Sequence, residues 1–458
     1  MKQFSSLRIL LALLFTVCAM PAMALTVTDL SGTWNVVSFS MPGRFTLQRN
    51  GRGAVTGINE ADEFHSSTGT LTVQSNGTLS GNVPDPISGT VSLGARGQVI
   101  MNIDGEDGPQ TMTFHVNSTG DFLTTAGSFG GQSQEVIMAL RAPTSALPAD
   151  VQGVWNVSSF QTPRRLDFTR NSSNEIVNVS GLSAFRTLAG NLNINDDGTA
   201  SGQVGSAFTA TYSIGDNGQI DVVVNTEEGT MPLTLFLNAG KDTMVALSGA
   251  DSTNDNYQEL LLFQRAPTST ATNELSGLWR VVTYDAPRPT EVKNSEGVLI
   301  GLNSDSNFRG SLQRVVVGHD GFFVAYVGDV STGMLIPADG GFANVAVQNS
   351  EGGENLMFCV SAEKTIMGTA FGDTGSQELV LLTRAAPGTG PTDDFGLITS
   401  RSVDGVHFQW AATTNSVLQA SSDLLNWETL TTTTAQHEYT DPGTNGVVRY
   451  YRIQQPTP

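Results

Sequence analysis

Cysteine is almost missing, with two residues in 458. Cys18 falls in a segment that reads as a removed leader, so the mature chain keeps only Cys359 and can form no internal disulfide. A disulfide-stapled scaffold is therefore excluded. Charge is scarce and lopsided: charged residues make up 14% of the chain, 23 basic against 43 acidic, for a formal charge of −20. So acidic a body repels nucleic acid and anionic lipid, and neither is expected as a partner. Solubility of an exported protein accounts for the charge most simply. Long helical periodicity is absent, and after the leader no apolar run could span a bilayer. The five histidines, His65, His115, His319, His407 and His437, stand at neither metal-ligand nor triad spacing. No catalytic residue, metal ligand or cofactor is expected.

The chain opens with Lys2 and Arg8, an apolar run from Ile9 to Met20, and Ala22-Met23-Ala24. Residues 1–24 therefore read as a signal peptide cleaved after Ala24. Val17 before Cys18 is larger than a lipoprotein site uses. Export without disulfides points to the periplasm, surface or surroundings of a Gram-negative-type bacterium.

Repetition is the strongest feature present. Leu30-Ser31-Gly32-Thr33-Trp34 returns as Val151-Gln152-Gly153-Val154-Trp155 and as Leu275-Ser276-Gly277-Leu278-Trp279. Each unit closes on an Arg-Ala pair beginning at Arg141, Arg265 or Arg384. The same register recurs at Phe64, Phe185 and Phe308, and at Gln134-Glu135, Gln258-Glu259 and Gln377-Glu378. Three units of ordinary domain size follow, at residues 25–143, 144–267 and 268–387, with a separate module at 388–458. Short Pro-, Thr- and Gly-rich linkers join them, an arrangement of beads on a string with side-to-side contact.

Gly is abundant, at 49 residues, and short apolar runs are broken by Asn-Gly and Asp-Gly pairs, an all-β composition. In the first unit, runs between residues 34 and 141 and the segment 44–55 make about eight antiparallel strands joined mostly by hairpins. Closing them into a barrel removes exposed edges. Six propeller blades, two per unit, are the alternative, although blades usually carry their own marks.

Gly-x-Trp on a first strand with Arg ending the last resembles the signature of the calycin superfamily, which includes lipocalins. That resemblance implies three tandem up-and-down β-barrels, each with its Arg crossing its Trp at the closed end: Trp34 with Arg141, Trp155 with Arg265, Trp279 with Arg384. The chain departs from lipocalins in lacking disulfides, and from the avidin branch in having only 5 Trp. The tail, with Phe408-Gln409-Trp410, Trp427, Tyr439-Thr440-Asp441-Pro442 and Tyr450-Tyr451, resembles a fibronectin type III-like β-sandwich of exported verrucomicrobial and planctomycete proteins.

Period-two alternation places Glu135, Ile137, Ala139 and Arg141 on one face of the last strand. Glu259 and Glu378 hold the matching positions. If that face lines the barrel, each Glu lies at the end opposite its Arg, where a ligand mouth would be; the simpler account is a solvated carboxylate at a strand start. Lone Glu residues in separate units do not make a glycosidase pair. Asn303 to Asn307 alternates oxygen donors but lacks the Gly and the later Glu of a calcium loop, and Asp251 with Asp255 and Asn256 is no better placed. Cys359 reads as a buried, inert thiol. The aromatics of the tail, Phe408 and Trp410 among them, read as its core rather than as a sugar platform.

The expectation is an exported, non-enzymatic protein whose barrels bind a small apolar or amphipathic ligand. A structural or adhesive surface protein with filled barrels is the alternative, and a polysaccharide-active or glycan-binding protein the distant one. The size of the lumen separates them.

Overall fold

A computed structural model describes residues 25–458 except 60–63, 95–97, 106–107, 129–132, 228, 250–256, 304–307, 319, 328, 350–351, 373–374, 387–395, 403–404, 412–415, 422–426, 434–437, 442–449 and 455–458. The signal peptide, both oxygen-rich loops (apart from Asn303), His319 and His437 lie outside the described residues.

Each Gly-x-Trp starts a strand, and its glycine has a φ of 135°, 126° or 133° at Gly32, Gly153 and Gly277. L side chains rarely adopt that backbone, which explains the glycine. The first unit runs β1 (Gly32–Pro42), β2 (Thr46–Arg49), β3 (Val55–Asn59), β4 (His65–Val73), β5 (Thr78–Val83), β6 (Asp85–Leu93), β7 (Gln98–Gly105), β8 (Gly108–Val116), β9 (Phe122–Gly127) and β10 (Ser133–Arg141). Eight of these, β1 and β4 to β10, pair antiparallel in sequence order and close through β1. The second and third units repeat this closed barrel, beginning at Gly153–Pro163 and Gly277–Pro287. Closed barrels overturn the propeller alternative. The segment 44–55 is not a barrel strand: β2 and β3 form a separate hairpin, as do their counterparts in the other units.

The tail forms two three-stranded sheets between Gly396 and Gln454. Phe408, Trp410 and Tyr439 from one sheet meet Leu418, Leu430 and Tyr451 from the other, the aromatics serving as its core.

Beads on a string is not what the three barrels make. One apolar core draws on all of them. At its centre Phe39, Phe160 and Tyr284, at matched positions, meet with ring centroids 5.6–6.3 Å apart. Nearer the hairpins, Phe64, Phe185 and Phe308 meet at 5.9–6.3 Å. Barrel strands here are buried on both sides. In β10, Ile137 and Ala139 join the core of their own barrel, while Val136, Met138 and Leu140 join the shared one. The contacts run in one sense around a ring, from barrel one to two, two to three and three to one. Asn35 Nδ2 donates to Asn217 O at 2.7 Å, Asn156 Nδ2 to Gly340 O at 2.8 Å, and Tyr284 Oη to Gln134 O at 2.8 Å. A heterologous contact whose rotation closes after three copies leaves no free end. At the Arg end, buried Asn117, Asp121, Asn238 and Asp242 form a hydrogen-bonded plug on the axis, with Asp121 accepting from Asn238 Nδ2 at 3.1 Å and from Gly240 N at 2.7 Å.

Candidate binding site in the third barrel

The two ends of each barrel differ in chemistry. At one end Trp34, Trp155 and Trp279 are fully buried and stand opposite Arg141, Arg265 and Arg384 in the strand register. Each indole Nε1 donates to the carbonyl four residues earlier, at Leu30, Val151 and Leu275, over 2.7–2.9 Å. Each guanidinium donates to the turn preceding its barrel, at Asp29 O, Asp150 O and Glu274 O. Arg265 also lies 5.9 Å from the Trp155 ring centroid, within reach of a cation–π contact. Trp and Arg therefore both bond the chain that enters each barrel.

The Gln-Glu pair lies six residues back along the last strand, about 20 Å away. Neighbouring residues on a strand point to opposite faces, and here the two faces have different jobs. Gln258 Nε2 donates to Ser40 O at 3.2 Å and Gln377 Nε2 to Gln161 O at 2.7 Å, each bridging to the neighbouring barrel. The Glu residues turn inward. Ser38 Oγ donates to Glu135 and Ser159 Oγ to Glu259. Burial nevertheless pushes both carboxyls above the usual carboxylate range.

Barrel three breaks the pattern. Thr283 replaces the serine, and its hydroxyl pairs with Ser311 at 2.7 Å. Among the described residues, nothing donates a hydrogen bond to Glu378. Burial, then the negative charges of Asp285 and Glu354, push its carboxyl up to about 7. Asp285 stands opposite Glu378 in the ladder.

Below Glu378 the lumen holds a cavity of about 250 Å³, partly open to solvent. Val315, Phe323, Leu335 and Phe358 are among its walls, and Glu354 and Glu378 are its only charged lining residues among the described residues. The lining reaches Leu382, four residues along the strand and about 14 Å deep. Register shows why the space exists. Ser331, Val345 and Val347 stand where barrel one has Ile87, Met101 and Ile103 and barrel two has Phe208, Val222 and Val224. In barrel two Phe208, Tyr212 and Met231 pack against the interior core. In barrel three Phe323 and Phe371, larger than Leu79 and Gly127 of barrel one, bound the cavity without filling it.

Glu354 was not singled out from sequence. Its signal was available: Glu354, Leu356 and Phe358 alternate on one face, and the matching positions in the other units are Gln110 and Met231. An acid confined to one repeat on an inward face marks a difference in content rather than architecture.

The other expected residues lie apart from this cavity. His65 starts β4, and the backbone of His407 lies in a strand of the tail. His115 is buried in β8, where burial and then Arg280 lower it to about 3. Cys359 is buried against barrel two, 3.8 Å from Ser158 Oγ, and burial raises its thiol to about 11. Among the described residues no group of three or more His, Cys, Asp or Glu is placed to hold a metal, and no helix is long and apolar enough to cross a membrane.

No protein-family model and no curated protein sequence matches the chain. Among solved structures it is similar to a double mutant of the vaccine antigen transferrin-binding protein B from Haemophilus parasuis Hp5, at 9% identity over 77% of this chain and 75% of that one, TM-score 0.27. The isotype 1 transferrin-binding protein B from serogroup B Neisseria meningitidis gives 11% identity over 77% and 76%, TM-score 0.20. A protein of unknown function from Nostoc punctiforme gives 9% over 79% and 100%, TM-score 0.12. Likenesses at these scores assign the chain neither a family nor a role; its closed eight-stranded meanders fit a calycin-like fold on their own topology.

Proposed function

We propose that this chain is an exported, non-enzymatic binding protein in which the third barrel holds a small amphipathic molecule and the first two serve as its scaffold. The observation that carries this reading is the apolar cavity of about 250 Å³ between the Trp279 floor and Glu378. A dry cavity of about 150 Å³ takes benzene, so this one suits a molecule of about ten heavy atoms. Apolar walls supply most of the affinity, and the polar groups near Glu378 set orientation. Barrel one places larger side chains at all three positions that open barrel three, and barrel two at the position of Ser331, where it has Phe208. Glu135 and Glu259, already held by serine hydroxyls, act as lumen struts in this reading. The signal peptide and the acidic surface fit release into or beyond the periplasm.

Native mass spectrometry of the purified mature chain tests it. One small-molecule adduct per chain, lost in Ser331→Phe, is the expected result. A chain that carries no adduct, and whose melting no small amphiphile shifts, overturns it.

One observation favours a second reading. Glu354 and Glu378 share a cleft, and Glu378 is pushed up to about 7 by burial and then by Asp285 and Glu354, as a hydrolase raises its acid. Against it, the hydroxyl-bearing lining residues among those described are Thr283 and Ser331, too few to hold a sugar. Turnover of aryl glycosides that disappears in Glu354→Gln would establish the hydrolase.

A further inference from the structure

The charged lining of the cavity has one sign. Thr283 and Ser331 add hydroxyls, the remaining lining residues are apolar, and among the described residues no Lys, Arg or His lines it. Glu378 lies at the inner edge of the mouth, opposite Asp285 on the adjoining strand, and Glu354 is exposed across from it. Phe323, Phe358 and Phe371 offer ring faces in the same space. Asp285 stands opposite Arg309 on its other neighbouring strand; an anionic ligand would still meet the two lining carboxylates, and a neutral one would leave the half-buried Glu378 without a partner. A ligand carrying a positive charge answers both costs, since ion pairing compensates desolvation of the carboxylate and phenyl rings attract cations. We propose that barrel three selects an organic cation, a protonated amine on an apolar body of about ten heavy atoms, with Glu378 and Glu354 as the residues that determine the charge.

The carboxylates differ from their counterparts in the way this requires. In barrels one and two the inward Glu accepts from Ser38 or Ser159, and Gln110 and Met231 occupy the position of Glu354. Among the described residues, only the third mouth has both an inward Glu without a serine donor and a second acid lining the same space. The amine would donate to Glu378 at the inner edge, with Glu354 closing over it from the exposed side. The apolar body would extend toward Leu382.

The inference rests on the binding reading, and three probes of matched size separate the two. Titrations of the mature chain with 2-phenylethylammonium, 2-phenylethanol and 3-phenylpropionate, followed by calorimetry, should show the ammonium bound one to one and the other two at least about tenfold more weakly. Glu378→Gln should weaken the ammonium by about tenfold or more and leave the alcohol unchanged. The glutamine is isosteric and removes a buried charge, so the fold is retained. Ser331→Phe, which copies Phe208 of barrel two, should abolish binding of every probe. Equal or tighter binding of the alcohol or the carboxylate overturns the cation inference and leaves the binding reading intact. Binding of none of the three overturns the binding reading itself.

Discussion

Glu378→Gln also makes a quantitative statement about folding. Glu378 is pushed from an ordinary 4.5 up to about 7, first by burial and then by Asp285 and Glu354. Between those two pH values the folded chain holds a proton that the unfolded chain has released, so stability falls as pH rises through the window. A shift of 2.5 units, at 1.36 kcal/mol per unit, amounts to roughly 3 kcal/mol. Glutamine carries no charge at any pH. The variant and the wild type should therefore match near pH 4, and the variant should be more stable by roughly 3 kcal/mol at pH 8. Every other titrating group is common to both chains and cancels in the difference. Urea unfolding at half-unit pH intervals, followed through the tryptophans, measures it. A difference that does not vary with pH, or one that favours the wild type at pH 8, refutes the assignment of Glu378 to a desolvated lumen. Adding the ammonium probe at pH 8 should narrow the gap by stabilising the wild type more than the variant.

His115 gives a shift of opposite sense at the acid side. Lowered from 6.5 to about 3, it is held neutral in the fold, so stability should fall as pH drops below 6.5, by on the order of 5 kcal/mol in all; His115→Gln should move acid unfolding to lower pH, measured by circular dichroism. Trp155→Ala should cost about 3–5 kcal/mol in urea unfolding, because it empties a fully buried floor position. Tyr284→Phe should cost about 1–2 kcal/mol, since the lost hydroxyl joins Phe39 O at 3.0 Å and Gln134 O at 2.8 Å across the barrel one and three contact. A loss below the error of the measurement would show that this joint contributes little to the ring.

The residues that could be read in sequence are those whose work is local or repeated. A glycine at φ near 130°, a tryptophan two residues later and an arginine in register with it recur because every barrel must be closed in the same way. Alternation along the last strand placed Glu135, Glu259 and Glu378 on the face of Ile137 and Ala139, and that face is the interior one. The ring was harder to see. Val136 to Leu140 and Leu260 to Phe263 are apolar without a break, the pattern of a strand covered on both sides, which period-two alternation does not bring out. Gln134, Gln258 and Gln377 likewise marked the repeat before their role as bridges between barrels was visible.

The sequence by itself determined the number of units, their strand class, where each barrel closes and which residues face inward, because strand alternation and turn chemistry act between near neighbours. Only the tertiary structure decided that the three barrels share one core, that the segment 44–55 leaves the barrel as a hairpin, and that the third lumen holds a cavity. Those outcomes depend on side-chain volumes summed across strands far apart in the chain. Ser331 in place of an Ile or a Phe changes nothing in the pattern of a strand, yet it opens the space above Trp279.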